Sequence, residues 1–377
     1  MIPPGTRLPD YGGQSLSKVL ISVGAASGAP AWDNVLGLPP APRYVVFLVD
    51  GLGLRLLQKY RDQAPYLSSL LDGSATETTC GLPSTTATSL TSIGTGAAPG
   101  RHGVVGYTSR IPGTQRLINA LKWDDEVPPL QWQPHRTVFE RLHDAGVTAS
   151  VVNDAAFEHS GLTLCSQRGV PYHGLDSVWQ RLDVLVDVCE SAPRSVTYGY
   201  ESRLDHTGHE SGCDSERWRE RLSAIDTELA QIRDALPDDA ALLVTADHGM
   251  VDLPPQNRFE VDDVPALVED VVLIGGEARF RHVYTRSGAA DDVAHRWQEV
   301  CGHRAVILTR EAAEAAQWFG PVDDAVRPRI GDVVVAALDD FAVFSTRQFP
   351  VEHKMVGFHG SITDEEMLVP MLVDPPR

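Results

Sequence analysis

A hydroxyl-rich run at residues 82–96, LPSTTATSLTSIGTG, contains the side chains best suited to nucleophilic chemistry. Pro83 is typical of a loop and Gly94 and Gly96 are typical of a helix end, so the run predicts a loop that turns into a short helix. Unpaired N–H groups at a helix start attract anions and partly stabilise a charged hydroxyl. Ordinary N-capping is the commoner role of such residues, so a catalytic role depends on partners elsewhere in the chain.

Acidic and histidine side chains follow several predicted strands. Residues 44–49, 195–200 and 241–245 are largely apolar runs, as expected of strands buried in a parallel sheet. The candidate partners of the hydroxyl run are Asp50, Asp205, His209, Asp247, His248 and His359. Each alone is explained as a turn former or a surface group. Together they supply the imidazole and carboxylate groups that zinc accepts, and we expect most of them at one edge of one sheet.

The spacing of these side chains favours two metal ions over one. Asp205 and His209 are four residues apart, so one helical turn or a tight loop lets both reach one ion. Asp247 and His248 would face opposite ways on a strand, so they must lie just past its end, where Gly249 frees the backbone. Six ligands and a hydroxyl are more groups than one tetrahedral metal ion can coordinate. Two divalent ions roughly 4 Å apart suit displacement at phosphorus, and metal coordination activates a hydroxyl.

Composition and charge exclude several classes of protein. The formal net charge of −19 over 377 residues disfavours binding to a nucleic acid polymer, and bound cations would reverse the repulsion of a small anionic substrate locally. The five cysteines include no CxxC pair, so we expect buried reduced thiols. With no long apolar run and no signal-peptide pattern at the start, we expect a cytoplasmic protein with no membrane partner.

Nucleotide-binding glycine motifs are incomplete. Gly51 and Gly53 resemble part of a dinucleotide fingerprint, but Leu56 stands where the third glycine is needed. No GxxxxGK[ST] phosphate loop occurs. We therefore expect neither a Rossmann cofactor nor a P-loop.

The order of predicted elements indicates an α/β core interrupted once. Residues 1–43 are predicted to form an extended segment that precedes the core. Helices are predicted near 174–190 and 215–236. The alternation of helices and strands is typical of βαβ units. Residues 253–345 have mixed polarity, several short predicted strands and helices and no obvious pair of metal ligands. We therefore predict that they form an inserted smaller lobe and that residues 1–252 and 346–377 form the core. Within the lobe, Arg258 and the run Arg279-Phe-Arg-His282 could meet a far phosphate, although a solvated face is the commoner explanation.

The motifs together resemble the alkaline phosphatase superfamily, and within it the nucleotide pyrophosphatase/phosphodiesterase branch. The resemblance rests on Val49-Asp-Gly51, Leu82-Pro-Ser-Thr-Thr86 with Thr95-Gly96 and His102-Gly103, Asp205-His-Thr-Gly-His209, Thr245-Ala-Asp-His-Gly-Met250 and Gly357-Phe-His359-Gly360. These occur in the family's order. The resemblance implies a three-layer α/β/α sandwich and two divalent metal ions, zinc by ligand type. A sulfatase is excluded, because Cys80-Gly-Leu-Pro83 does not supply the C/S-x-P-x-R context.

The resemblance also implies roles for individual residues. One ion would be held by Asp205, His209 and His359, and the other by Asp50, Asp247 and His248 with Thr86 at its open position. Thr86 would be the nucleophile and form a phospho-threonine intermediate; Thr85 is the second choice, and Ser84 is less well spaced from the later motifs.

Two further positions would contact the phosphoryl group. The Ala87 N–H would donate to a phosphoryl oxygen. The branch usually has Asn where this chain has Ser89, which weakens the expected contact there.

The resulting prediction is a metal-dependent phosphodiesterase or nucleotide pyrophosphatase acting on a small phosphate ester. No Arg lies within residues 86–96, which favours diesters over monoesters because a dianion suits a charged clamp. A phosphomonoesterase of the same superfamily is the first alternative. A non-catalytic protein that keeps the metals for stability or ligand binding is the second.

Overall fold

The computed structural model describes residues 3–74 and 76–377. Its strands are β1 (Arg43–Val49), β2 (Thr76–Thr79), β3 (Thr108–Arg110), β4 (Leu117–Asn119), β5 (Thr148–Asp154), β6 (Tyr172–Leu175), β7 (Ser195–Glu201), β8 (Ala240–Thr245), β9 (Val251–Asp252), β10 (Arg258–Glu260), β11 (Val271–Glu277), β12 (Phe280–Thr285), β13 (Ala305–Thr309), β14 (Val333–Ala337), β15 (Ala342–Phe344), β16 (Gly357–Phe358) and β17 (Leu368–Asp374). Its helices are α1 (Val19–Ala26), α2 (Leu54–Lys59), α3 (Pro65–Ser74), α4 (Thr86–Thr95), α5 (Pro99–His102), α6 (Pro129–Trp132), α7 (Val138–Asp144), α8 (Gly161–Ser166), α9 (Arg181–Glu190), α10 (Arg203–Ser211), α11 (Glu216–Ala235), α12 (Pro265–Val268), α13 (Ala290–Cys301), α14 (Arg310–Ala315) and α15 (Asp364–Met367). None of these helices has both the length and the apolar character needed to cross a bilayer.

The central sheet has the strand order β2-β17-β8-β1-β7-β5-β6. Strands β8, β1, β7, β5 and β6 pair in parallel, whereas β17 runs antiparallel to both β8 and β2. The expectation of a parallel sheet is therefore confirmed for β1, β7 and β8, the strands to which it referred, and the sheet as a whole is mixed. The chain reaches β17 from the sheet edge at which β8 ends, so it enters the sheet in the opposite direction without a crossover helix.

Helices cover the sheet on both sides and complete the expected α/β/α sandwich. One group consists of α1, α4, α7 and α8, which are connected through α4, and its helix α7 packs on β5. The second group consists of α3, α9 and α11, and its helix α9 packs on β1, β5 and β7. Strand β8 is buried along its whole length, and β1 from Tyr44 onwards. Apolar side chains on both faces of these central strands build the main core, as their continuous apolar runs predict.

Two predictions about local structure are wrong. Residues 19–26, expected within an extended lead-in, form helix α1, because burying Val19, Leu20 and Val23 in the main core outweighs the strand preference of β-branched side chains. The helix expected from residue 174 begins only at Arg181. The residues before it extend the sheet edge as β6, paired with β5.

The region predicted as a lobe contains a separate antiparallel sheet of order β11-β12-β14-β13. Val283, Val333 and Trp297 belong to an apolar cluster of their own, whereas Phe280 and Val334 belong to the main core. The sheet thus packs on both sides, once against its own helices and once against the main core. The division of the chain at residues 252 and 346 stays a prediction.

The basic residues of the run 279–282 are not a solvated face, and they do not line the open cavity. Arg258 is half-buried and donates to the Leu253 and Met355 carbonyls. Arg279 is fully buried and binds Glu366 at 2.6 Å, and Arg281 is fully buried and paired with Glu352. His282 is also buried. Charged groups at full burial need partners, and here the partners fix β12 to the segments around residues 352 and 366. All five cysteines are buried and free, as expected.

Candidate functional site

The ends of β1, β7 and β8 place three acidic segments at one edge of the sheet. Val49 lies opposite Glu201, and Leu48 lies opposite Thr245, so the three strands stop within about one residue of each other. Asp50, helix α10 and the pair Asp247–His248 follow directly. The carboxyl edge of a parallel sheet is where open α/β folds bind ligands.

A later segment brings His359 to the same edge. Strand β16 pairs with β9, and Gly360 forms a bridge with Ser84 in which the Ser84 N–H donates to the Gly360 carbonyl at 3.0 Å. The loop before helix α4 and the loop carrying His359 are thereby joined by backbone hydrogen bonds. All six predicted ligands and the hydroxyl run meet in one place.

Asp205, His209 and His359 form what we call the outer cluster. The Nε2 atom of His209 lies 3.3 Å from Asp205 Oδ2 and 3.2 Å from His359 Nε2, and His359 Nε2 lies 3.8 Å from Asp205 Oδ1. Helix α10 puts Asp205 and His209 on one face, as the four-residue spacing predicts. Three ligand atoms therefore converge on one point.

Asp50, Asp247 and His248 form the inner cluster, which is buried. His248 Nε2 lies 3.3 Å from Asp50 Oδ1 and 3.6 Å from Asp247 Oδ2. Burial raises the pKa of Asp50 well above its usual range, and the Asp247 and Asp205 carboxylates raise it further. Burial also raises the pKa of Asp247. Carboxyl groups crowded in this way favour a cation between them.

All three cluster histidines are oriented in the same manner. The Nδ1 atom contacts the Gly357 carbonyl in His209 (2.8 Å), the Ser84 carbonyl in His359 (3.0 Å) and the Gly249 carbonyl in His248 (2.9 Å). A carbonyl can only accept, so each Nδ1 carries the proton and each Nε2 presents a lone pair to its cluster. Metal-binding histidines are held in this way by their second nitrogen.

The donor set fits divalent metal ions. Within each cluster the ligand atoms lie within 4.8 Å of one another. Asp205 Oδ1 and Asp247 Oδ2 are buried and accept no hydrogen bond from any residue that the structure describes, so each carries a lone pair with nothing to satisfy it. Imidazole and carboxylate ligands in this ratio suit zinc and related ions.

Thr86 lies beside the inner cluster at the first position of α4. Its Oγ1 is 3.2 Å from His248 Nε2 and 3.5 Å from both carboxylate oxygens of Asp50. Thr85 occupies the N-cap position and also lines the cavity described below, but its hydroxyl contacts Glu277 and forms no hydrogen bond with either cluster. Ser84 is fully buried and donates its hydroxyl hydrogen to the Ser361 carbonyl at 2.6 Å. Of the three candidate hydroxyls, that of Thr86 contacts the inner cluster.

Of the two predicted phosphate contacts, the Ala87 N–H is available to an anion and the Ser89 side chain is not. The N–H groups of Thr86 and Ala87 at the start of α4 have no acceptor in residues 3–74 or 76–377, which leaves them free for an anion. Ser89 is fully buried within α4 and does not line the cavity. The structure therefore leaves the Ala87 N–H as a candidate donor and does not bring Ser89 to the open site.

Gly249 is required by close packing. A Cβ atom there would lie 1.9 Å from the Glu365 carbonyl oxygen and 3.0 Å from Gly53 Cα. The loops after β1 and β8 thus touch backbone to backbone, and this contact holds the two halves of the inner cluster together. The absence of a side chain at Gly249 therefore allows two backbone segments to approach closely, whereas the sequence analysis predicted that this glycine provides backbone freedom.

A model of the type I phosphodiesterase / nucleotide pyrophosphatase family matches residues 44–362, which include every cluster residue and Thr86. The chain belongs to this family. Among solved structures, murine ectonucleotide pyrophosphatase / phosphodiesterase 5, as an inactive variant in complex with AMP, has a TM-score of 0.70 at 17% identity over 89% of this chain and 88% of that chain. The human protein of the same name has a TM-score of 0.69, also at 17% identity over 89% and 88% of the two chains. Identity at this level establishes the shared fold.

Curated relatives match shorter stretches of this phosphodiesterase-family chain. GPI ethanolamine phosphate transferase 3 of Schizosaccharomyces pombe is 25% identical over 55% of this chain and 22% of its own length. Phosphopentomutase of Shewanella denitrificans is 27% identical over 41% of this chain and 37% of its own length. The chain therefore spans well under half the length of either relative.

A cavity of about 570 Å³ opens from the clusters of this phosphodiesterase-family chain. Its walls come from α4, the β3–β4 hairpin, the end of β11 and residues 348–358. His206, near the site by sequence, lines it but is largely exposed, whereas His102 is buried against Ser92 and away from it.

Sequence reasoning missed two side chains at the site. Tyr200, near the end of β7, donates its hydroxyl hydrogen to Asp50 Oδ2. Glu277, at the end of β11, lines the cavity and has a pKa that burial raises to about 8. The carboxyl end of β7 could have pointed to Tyr200, because that edge carries the other site residues. Glu277 comes from a region without a recognisable motif.

Proposed function

We propose that this chain is a metal-dependent hydrolase of small phosphate esters that cleaves phosphodiester or phosphoanhydride bonds with Thr86 as the nucleophile. The observation that carries the proposal is the position of the Thr86 hydroxyl. It lies at a helix start with free N–H groups, in contact with His248 and Asp50, while the outer cluster lies alongside. Family membership supports phosphoric ester hydrolysis, and the AMP bound to the murine neighbour supports a small phosphate ester as ligand.

Each cluster would hold one divalent ion. Asp205, His209 and His359 would hold the first, and Asp50, Asp247 and His248 the second. When bound, the two ions supply positive charge that lowers the pKa of a nearby hydroxyl and stabilises negative charge on the phosphoryl and leaving oxygens.

The residues of the chain account for the remaining chemistry. The Thr86 hydroxyl loses its proton and its oxygen forms a bond to phosphorus, while the bond to the leaving alcohol, or to the leaving phosphate of an anhydride, breaks and that leaving group takes up one proton. Water then cleaves the phospho-threonine ester, releases the phosphate monoester and restores the Thr86 hydroxyl. The N–H groups of Thr86 and Ala87 are available to a phosphoryl oxygen throughout, and their positions need no rearrangement.

A paired rate measurement tests the proposal. Metal-analysed protein is assayed with bis(4-nitrophenyl) phosphate and with 4-nitrophenyl phosphate under the same conditions. We expect faster turnover of the diester, because among the residues that line the cavity there is no Lys or Arg to clamp a dianion. Faster turnover of the monoester would favour a phosphomonoesterase. Absence of turnover in protein that holds two ions would favour a non-catalytic metal-binding protein.

A further inference from the structure

Glu277 is a buried acid without a positive partner. Its side chain is 10% exposed, and its Oε1 atom accepts no hydrogen bond from the described residues. The nearest ring nitrogen, His359 Nδ1, lies 3.8 Å away and is hydrogen-bonded to the Ser84 carbonyl. Thr85 and the Tyr107 backbone hydrogen-bond to this carboxyl, but the nearby Arg281 is bound to Glu352. A buried carboxyl with no cation bound to it and one oxygen unsatisfied is costly to retain unless something outside the chain satisfies it.

The other buried glutamates that the structure describes are paired with arginine. Glu366 binds Arg279, Glu352 binds Arg281, and Glu201 binds both Arg181 and Arg203. The contrast sets Glu277 apart as the buried glutamate that lines the cavity with no arginine bound to it. Strand β11 and the Gly360 backbone fix its position, since a Cβ on Gly360 would lie 2.8 Å from Glu277 Cγ.

The surrounding walls are apolar and lack cationic side chains. Leu117, Leu121, Phe349, Val351 and Phe358 line the cavity, and none of its described lining residues is Lys or Arg. Glu352 also lines it but is already neutralised by Arg281. A second phosphate or a carboxylate in this space would stand beside Glu277 with nothing to offset the repulsion.

We propose that Glu277 determines specificity by binding an ammonium group on the organic part of the phosphodiester. A protonated amine donates a hydrogen bond to Oε1 and supplies the missing positive charge, while the apolar walls contact the carbon chain that links the amine to the phosphate. This inference rests on the proposed function and adds the substrate class: small diesters that bear an amine and no second anionic group.

The first experiment compares three diesters that differ only in one terminal group. They are the 2-aminoethyl, propyl and 2-carboxyethyl esters of 4-nitrophenyl phosphate, assayed with metal-loaded protein. We expect kcat/KM for the aminoethyl ester to exceed that of the propyl ester about tenfold or more, with the carboxyethyl ester slowest. Equal values for the three esters, or a preference for the carboxyethyl ester, would overturn the proposal.

The second experiment compares Glu277→Gln with Glu126→Gln. Glu126 is exposed, pairs with Arg116 and does not line the cavity, so its substitution changes the net charge equally. We expect Glu277→Gln to bring the aminoethyl/propyl ratio to within about threefold of one, and Glu126→Gln to keep the wild-type ratio. If Glu277 only supports His359, Glu277→Gln would slow all three esters equally and weaken metal binding, and the proposal would be wrong.

A binding measurement separates this inference from the proposed function. Calorimetry with metal-loaded Thr86→Ala compares 2-aminoethyl phenyl phosphate with propyl phenyl phosphate, with and without Glu277→Gln. We expect tighter binding of the amine, lost on Glu277→Gln. If no diester is hydrolysed by the wild type but this preference is seen, the proposed function fails and the role of Glu277 stands. If diesters are hydrolysed but the preference is absent, the role of Glu277 fails alone.

Discussion

The imidazole rings of His248 and His359 stack with their centroids 3.6 Å apart and their planes inclined by 15°. One ring belongs to the inner cluster and the other to the outer cluster, so the stack couples the two sets of ligands. Burial holds the pKa of His359 well below its usual range, and the neighbouring His248 and His209 lower it further. In both rings Nδ1 donates to a backbone carbonyl and Nε2 is directed to its cluster, which suits two ions held side by side.

Replacing Thr86 by Ala should abolish hydrolysis while the protein stays folded. The hydroxyl is the candidate nucleophile, and removal of a covalent nucleophile costs on the order of 10³-fold or more in kcat. Turnover of bis(4-nitrophenyl) phosphate measures the effect, and mass spectrometry of quenched wild-type protein should detect phosphate on the peptide that contains Thr86. Thr85→Ala is the matched control, for which we expect a loss below about tenfold. The reverse pattern would make Thr85 the nucleophile.

Substitution of either cluster should remove one metal ion per chain. We expect two ions in the wild type, one in His209→Gln and one in Asp247→Asn, because each cluster converges on a separate point. Elemental analysis after dialysis measures the stoichiometry, and chelator treatment should abolish activity in parallel. His206→Gln is the control: this histidine is largely exposed, pairs with Glu210 and belongs to neither cluster, so both ions should remain. A wild-type content of one ion would contradict the two-ion arrangement.

The hydroxyl of Tyr200 should increase the metal affinity of the inner cluster through its contact with Asp50. Tyr200→Phe removes the donor to Asp50 Oδ2, and loss of such a supporting contact typically weakens metal affinity about 10- to 100-fold. Chelator competition measures the change.

Tyr198 provides the matched control on the same face of β7. Its hydroxyl is buried and has no partner among the described residues, so Tyr198→Phe should leave metal affinity unchanged. Equal effects of the two substitutions would mean that the Asp50 contact does not contribute.

Sequence patterns suffice to predict the convergence of five of the six Asp and His residues. Asp50, Asp205, Asp247 and His248 follow strands whose apolar runs are unambiguous, and parallel strands bring their carboxyl ends to one edge. The position of His359 follows only from the family resemblance, because no strand pattern precedes it. The direction of β17 does not follow from periodicity, since a buried strand has the same apolar pattern in either orientation.

The roles of Glu277 and of the neighbouring arginines depend on the fold. An acid at the end of a short strand in residues 253–345 carries no local signal, and its isolation becomes visible only once Arg279 and Arg281 are seen to pair with Glu366 and Glu352. Charged residues are usually exposed, so the sequence favours a solvated face for these arginines. The helix at residues 19–26 escapes prediction for a similar reason, because burial against distant elements decides its conformation.

Two buried histidines outside the site should make stability depend on pH. Burial lowers the pKa of His102 to about 3 and that of His282 to about 4. In His282 one ring nitrogen donates to the Val105 carbonyl at 2.8 Å and the other accepts the Gly331 N–H at 3.1 Å, so a second proton would face a donor. The unfolded chain binds protons below about pH 6.5 and the folded chain does not. Stability is therefore complete above about pH 6.5 and falls as the pH drops towards 4 and 3.

The size of this effect follows from linkage. Each such histidine costs up to about 1.4 kcal/mol of unfolding free energy per pH unit, so about 2 kcal/mol between pH 6.5 and 5. Urea unfolding of metal-free protein at pH 7.5 and 5.0 measures the fall, and His282→Gln should reduce it by about this amount, although it lowers stability at both pH values. His295→Gln removes an exposed histidine and should leave the fall unchanged. If His282→Gln also leaves it unchanged, His282 is protonated in the folded state, which its two hydrogen bonds oppose.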